Sequence, residues 1–250
     1  MVFQTVIGGY SSLDLVSWSN GSYEQIAAML DAHYKGRINI ANYWSIGDTR
    51  TITLDAIAQT DVTSAMSTQV VQLVLLNAGG KTLVQSQYGT STCAFVVGIK
   101  NVLSSSAAIN TSAASKYSTS KIRSVLNNQV YLAFPSDMKL LMKSFVNKTT
   151  VYEYSGASAS LEETEDIVSL AGANEVFGYP NSWDTLAGEG TQFTYYTTQA
   201  NRIKKRDSVA ETWWTRSAMN YAQNVYTATD GSIAAIRSDY SNGLAPILVI

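Results

Sequence analysis

The chain has 250 residues, 46% of them hydrophobic and only 14% charged, with 15 Tyr, 6 Phe and 5 Trp; that aromatic content excludes disorder, and the length suffices for one large core. A net charge of −2 provides no field to draw in nucleic acid or anionic lipid. A single Cys excludes an internal disulfide, and a single His excludes multi-histidine zinc sites.

With so few charges, solubility rests on Ser, Thr, Asn and Gln, a surface suited to an extracellular or virion component. No apolar run approaches the ~20 residues of a membrane span, so no membrane insertion is expected. The first residues lack the basic-then-apolar order of a signal peptide.

Residues 1–60 read as an N-terminal attachment segment and the start of a domain that fills 61–250. Gly8-Gly9 and Asn20-Gly21 mark an irregular opening. Ser22 and Gln25 have capping-box spacing for a helix carrying Ile26, Met29, Leu30 and Tyr34, with Gly36 placed to end it. His33 falls on the flank of that helix beside Tyr34. Arg50 to Ile57 alternates as a half-buried strand. Val70–Leu76 and Cys93–Ile99 are continuous apolar runs that belong at the centre of a sheet, with Cys93 a buried thiol. The hydroxyl-rich stretch from Ser104 to Ser120 reads as a long loop, functional or mobile.

Helices are expected through Ile122, Val125, Leu126 and Val130, and from Pro135 through Leu141, Phe145 and Val146. Strands should follow at Thr150–Tyr154 and Ile167–Leu170, joined by a solvated acidic link of Glu162, Glu163, Glu165 and Asp166. The last third is β in character: Gln192–Tyr196, Thr212–Thr215, then a hairpin around Asp230-Gly231. After a turn at Asn242-Gly243, the apolar run to Ile250 should be a core strand.

The sequence contains no phosphate-binding glycine loop and no nucleophile elbow. A triad would depend on His33, which has no nucleophile signal nearby. Asp184, Glu189 and Asp239 are the carboxylates to examine for hydrolysis. The basic run Arg202 to Arg206 reads as a solvated turn. No enzyme activity, cofactor or metal is therefore expected. What stands out is polar-aromatic density near two predicted turns: Asn220, Tyr221, Gln223, Asn224 and Tyr226, then Ser238, Asp239, Tyr240 and Asn242. Tyr offers contact area at low entropic cost and Asn or Ser adaptable hydrogen bonds, the composition of antibody loops; strands and turns favour the same residues for their own reasons.

Trp213-Trp214-Thr215-Arg216-Ser217, with Asp230-Gly231 and a closing Gly243-Leu244-Ala245-Pro246, resembles an uncharacterised domain common in Firmicutes proteins and their phages. Upstream blocks resemble gut-phage members in the same order: Ser22–Met29, Tyr43–Arg50, Asn77–Leu83, Glu175–Gly178 and Asn201–Lys205. The resemblance implies an α+β, C-type-lectin-like fold with a mixed or antiparallel sheet, two or three helices and long loops. It also implies a phage structural module similar to the variable proteins of diversity-generating retroelements. Ala218-Met219 stands where many relatives carry Pro, and the calcium-binding tripeptide of sugar-binding lectins is missing.

Trp213 and Trp214 are adjacent on a strand and must face opposite ways. With Arg216, placed to stack on Trp214 or hold a buried carbonyl, they are expected as scaffold for a binding surface within 213–246. The expectation is a virion protein exposed on the particle and attached to other virion proteins through its N-terminal segment. It should be homo-oligomeric and bind a bacterial surface receptor, glycan or protein. The competing expectation is a capsid, tail-decoration or baseplate part that binds no receptor.

Overall fold

Gln69–Ala78 is the longest strand and organises the first sheet. The sheet is antiparallel, in the order Ile247–Val249, Phe95–Ile99, Gln69–Ala78, Thr49–Leu54. The computed structural model describes residues 3–5, 13–181 and 185–250. Leu73 to Leu76 and Phe95 to Val97 are fully buried, as continuous apolar runs in central strands require. The helix Tyr23–Tyr34 starts at the expected Ser22/Gln25 capping box. Its Tyr34 hydroxyl donates to the Ile250 carbonyl at 3.0 Å and accepts from the Ala94 amide at 2.9 Å. Trp18, Trp44 and Phe95 form a ring ladder with centroids 5.6 and 5.9 Å apart. One continuous core joins Trp18, Ile26 and Leu54 to Trp214 and Ile250. Of residues 1–60, expected as an attachment segment and the start of the domain, Trp18, Ile26, Leu54 and Ile57 belong to that core; Phe3–Thr5 pairs with Leu13–Leu15, and residues 1, 2 and 6–12 lie outside the described ones.

A second sheet runs Ile233–Arg237, Gln223–Thr227, Trp213–Asn220, Asn242–Gly243, Ser106–Ala107, with Trp213 and Gly243 paired in parallel. A third runs Ser160–Asp166, Phe145–Val151, Thr82–Gln87, Thr90–Thr92. Lys204–Arg206 and Val209–Glu211 make a further hairpin.

The expected α+β, C-type-lectin-like fold is therefore corrected. The molecule is mostly β, 35% strand against 21% helix, in five sheets among the described residues. The main reason lies in the third sheet. Phe145–Val151, its first residues expected as helix, is a strand whose β-branched Thr149, Thr150 and Val151 are buried. The acidic link is its neighbour, Ser160–Asp166, paired from Ser160↔Val151 to Asp166↔Phe145. Charged residues on its outward face hid its alternation. Gln192–Tyr196, expected as a strand, instead enters a 3-10 turn at Thr194–Thr197.

Candidate functional site

Trp213 and Trp214 are both fully buried, one on each side of their strand. Trp213 donates its indole N–H to the Arg202 carbonyl at 2.8 Å and packs 5.8 Å from the Tyr196 ring. Trp214 donates to the Ala107 carbonyl at 2.7 Å and meets Tyr226 edge-on at 6.2 Å. Each ring thereby ties a different segment to the strand, and the indole N–H groups are satisfied as burial demands.

Arg216 is also fully buried. Its guanidinium grips Glu175 with two bonds, 2.7 and 3.0 Å, and donates to the carbonyls of Leu170 and Lys148, both at 2.9 Å. Thr149 Oγ1 accepts from Nε at 3.0 Å. Gly172 leaves room for this fork: a Cβ there would stand 2.8 Å from one guanidinium nitrogen. Lys81 bonds the same Glu175 carboxylate and donates to Asn147 at 2.7 Å. Asn147 donates to Asp166 at 2.8 Å, and Asp166 accepts from Arg123 Nε at 2.7 Å. Glu189 receives the Ser217 hydroxyl and the Thr150 amide. The chain of contacts thus runs from the centre of the molecule to its surface at Arg123.

Burial alone would raise the Glu175 carboxyl, but Arg216 and Lys81 more than offset it and hold it at about 2. Burial and the nearby Arg216 pull Lys81 down to about 8, against the attraction of Glu175. Glu189 is raised by burial, with Arg216 opposing. These charges are interlocked and enclosed. They clamp four segments together rather than face a substrate.

The nine candidate contact residues divide by depth. Tyr221 and Tyr240 are exposed, at 39% and 53%. Asn220, Gln223, Tyr226 and Asp239 are half-buried. Asn224, Ser238 and Asn242 are buried and cannot touch a partner while the sheet is intact. Asn224 donates to the carbonyls of Ser115, Arg216 and Ser217 and accepts the Ser238 hydroxyl at 2.7 Å. Asn242 accepts from Thr212, and Asn220 bonds Gln223 at 2.6 Å.

The register Gln223↔Arg237 puts the turns at Tyr221 and Tyr240 at one end of the sheet. The Asp230-Gly231 turn lies at the other end, where Gln199 donates to the Asp230 carbonyl. The serine-rich loop is fastened to the tyrosine end: Ser115 N–H donates to the Tyr221 carbonyl at 2.9 Å, and Ile109 N–H to that of Ser238 at 2.9 Å. Asp239 pairs with Arg237 at 2.7 Å, whose guanidinium stands 5.9 Å from the Tyr240 ring.

Glu189 is enclosed and Asp239 is tied to Arg237, so the two share no cleft; Asp184 lies outside the described residues. His33 packs 5.4 Å from the Tyr34 ring. Cys93 is buried, and burial pushes its thiol up to about 11. Among the described residues no group of three or more His, Cys, Asp or Glu is placed to hold a metal, and no helix is long and apolar enough to cross a membrane.

The basic run, expected as a solvated turn, is corrected at Lys204. This residue is fully buried, donates to the Ile99 and Lys100 carbonyls, and stands 5.0 Å from the Trp213 ring. Burial pulls its ammonium down to about 7. Sequence reasoning also missed Lys81 and Glu175, and it singled out Glu189 only as a carboxylate to examine for hydrolysis. Lys81 and Arg216 are far apart in the chain and are joined only through Glu175, which bonds both.

No curated protein and no solved structure matches the chain. Residues 79–250 match the family described as "Domain of unknown function (DUF6273)", a span that holds the Arg216 cluster, both tryptophans and the tyrosine-bearing end. The chain belongs to the DUF6273 family.

Proposed function

We propose that the protein is a non-enzymatic attachment protein of a phage virion, and that the sheet end bearing Tyr221 and Tyr240 contacts a receptor on the bacterial surface. The observation that carries this reading is two exposed aromatic side chains at one end of the sheet, over a hydrogen-bonded floor. Asn224 and Ser238 lock that floor, so the tyrosines are presented with little ordering left to pay for on binding. Adaptable polar groups of Asn220 and Gln223 flank them. The virion setting, the docking of the N-terminal residues on other virion proteins and homo-oligomerisation rest on the resemblance of Trp213–Ser217 and Gly243–Pro246 to phage proteins.

The test is binding of fluorescently labelled protein to a panel of gut Firmicutes strains, read by flow cytometry. A Tyr221→Ala, Tyr240→Ala double variant is expected to lose binding, while Thr229→Ala, at the opposite end of the sheet, keeps it. Equal binding by the double variant and the parent, or no binding to any strain, would leave the particle-building role as the better reading.

A further inference from the structure

Two clefts flank the helical run 121–133, and neither Tyr221 nor Tyr240 lines them. One, of about 530 Å³, is lined by Thr119, Arg123, Ser124, Asn128, Ser144 and Asp166 among others. The other, of about 300 Å³, is lined by Thr60, Asp61, Lys121, Ser124, Asn128 and Gln129 among others. Both volumes fall in the ~300–1,000 Å³ range of small-molecule sites. Ser124 and Asn128 belong to both linings, so a single low wall separates the clefts. Asn128 is fixed on that wall by donating to the Ser124 carbonyl at 2.8 Å.

The helix has an unusual turn at this wall. Leu126–Val130 is wound as a π-helix, a form that recurs at functional sites. Three successive amides result, each committed to a different place. Asn127 supports the first cleft, accepting from the Ile167 amide at 2.8 Å and donating to Asp166 at 2.9 Å. Asn128 forms the wall. Gln129 lines the second cleft, and its Oε1, although buried, accepts no hydrogen bond among the described residues. A buried acceptor without a donor is costly and calls for a partner.

The lining also indicates what that partner is. Arg123 is answered from within, by Asp166 and by the carbonyls of Ser118 and Glu165. Lys121 pairs with Asp61 at 3.3 Å. With the cations engaged and the Glu165 carboxylate bordering the first cleft, a phosphate-bearing ligand is disfavoured. What remains is hydroxyls and amides, each both donor and acceptor, interleaved with the apolar side chains of Val62, Val84, Val125 and Ile167, as the polar edges and apolar face of a sugar ring require. That lining matches a polyol.

We propose that the two clefts form one groove for a neutral oligosaccharide, with one sugar ring in each cleft and the glycosidic link crossing the wall at Ser124 and Asn128. The groove does not depend on the tyrosine-bearing end, so either can fail without the other.

The test is calorimetric titration of the full chain with neutral hexose and N-acetylhexosamine oligomers of one to six units. At least one series is expected to bind, at least tenfold tighter for two or three units than for one, with no change between 50 and 500 mM salt. Asn128→Ala should weaken binding at least tenfold. Gln129→Leu should keep the single-unit affinity and remove the gain with length. Both variants should unfold at the parent's midpoint, and Tyr221→Ala should bind the sugar as the parent does. Absence of binding by every series, affinity independent of length, loss of affinity with salt, or indifference to Asn128→Ala would each overturn the proposal.

Discussion

Along the interior part of the strand Trp213–Asn220, side chains meet buried carboxyl groups: Arg216 holds Glu175, and Ser217 bonds Glu189. Where the strand emerges, Asn220 bonds the neutral Gln223, the nearby Arg237–Asp239 ion pair lies at the surface, and two tyrosines are exposed. The interior tolerates almost no change, because every group there is another's counter-charge or hydrogen-bond partner. The exterior end is held from below by Asn224, so its outermost side chains can vary without loosening the sheet. Tight anchoring and an exposed, locally variable end are thus kept a few residues apart on one strand.

The largest effect should come from breaking the interior. Arg216→Met leaves Glu175 and Glu189 without their guanidinium and is expected to cost about 3–5 kcal/mol, read as a lower midpoint in urea. Arg216→Lys should be nearly as harmful, since an ammonium cannot reproduce the planar fork to Glu175 and two carbonyls. An unchanged midpoint would remove the cluster as the anchor.

Next comes the joint between the two regions. Asn224→Ala deletes the hydrogen bonds to Ser115, Arg216, Ser217 and Ser238. It should cost about 1–3 kcal/mol and increase hydrogen exchange at Tyr221 and Ser238. A loss of stability without faster exchange there would show that Asn224 serves the interior alone.

Titration separates the interior by sign. Glu175, at about 2 when folded against about 4.3 unfolded, contributes stability above about pH 4.3 that is lost as pH falls towards 2. Lys204 and Lys81, at about 7 and about 8, contrast with about 10.4 for an unfolded lysine. Between these values the unfolded chain holds more protons, so stability should rise with pH from about 7 to about 10. Lys204→Met should flatten part of that alkaline rise in urea midpoints measured across the range; an unaltered slope would assign it to Lys81.

The smallest effect on stability belongs to the surface. The Tyr221→Ala, Tyr240→Ala pair should change unfolding by no more than about 0.5 kcal/mol even where cell binding is lost. A larger destabilisation would mean these side chains belong to the core they border.

Much of the first sheet was legible in the sequence because its central strands are unbroken apolar runs, and the Ser22 helix because its cap is local. The third sheet was not. Its outer strand carries Glu163 and Glu165 on the wet side, and hydropathy alone reads such a strand as a linker. Lys204 was misread for the related reason that burial of a lysine depends on carbonyls and rings that only folding brings near. Composition nominated the tyrosines, which are exposed, together with Asn224 and Ser238, which are buried and whose polarity serves the sheet itself. Whether a polar residue faces outwards is decided by its neighbours across the strand, not by its own chemistry.

The parallel contact of Gly243 with Trp213 sets a limit for anyone evolving this protein by panning. A Cβ at Gly243 would stand 2.6 Å from Val102 Cγ1 and 2.7 Å from the Thr212 carbonyl oxygen, so every other amino acid there must displace backbone. A library randomised evenly across 220–243 would therefore discard most of its clones as unfolded. One confined to Tyr221, Asp239, Tyr240 and Ser241 would keep nearly all of them.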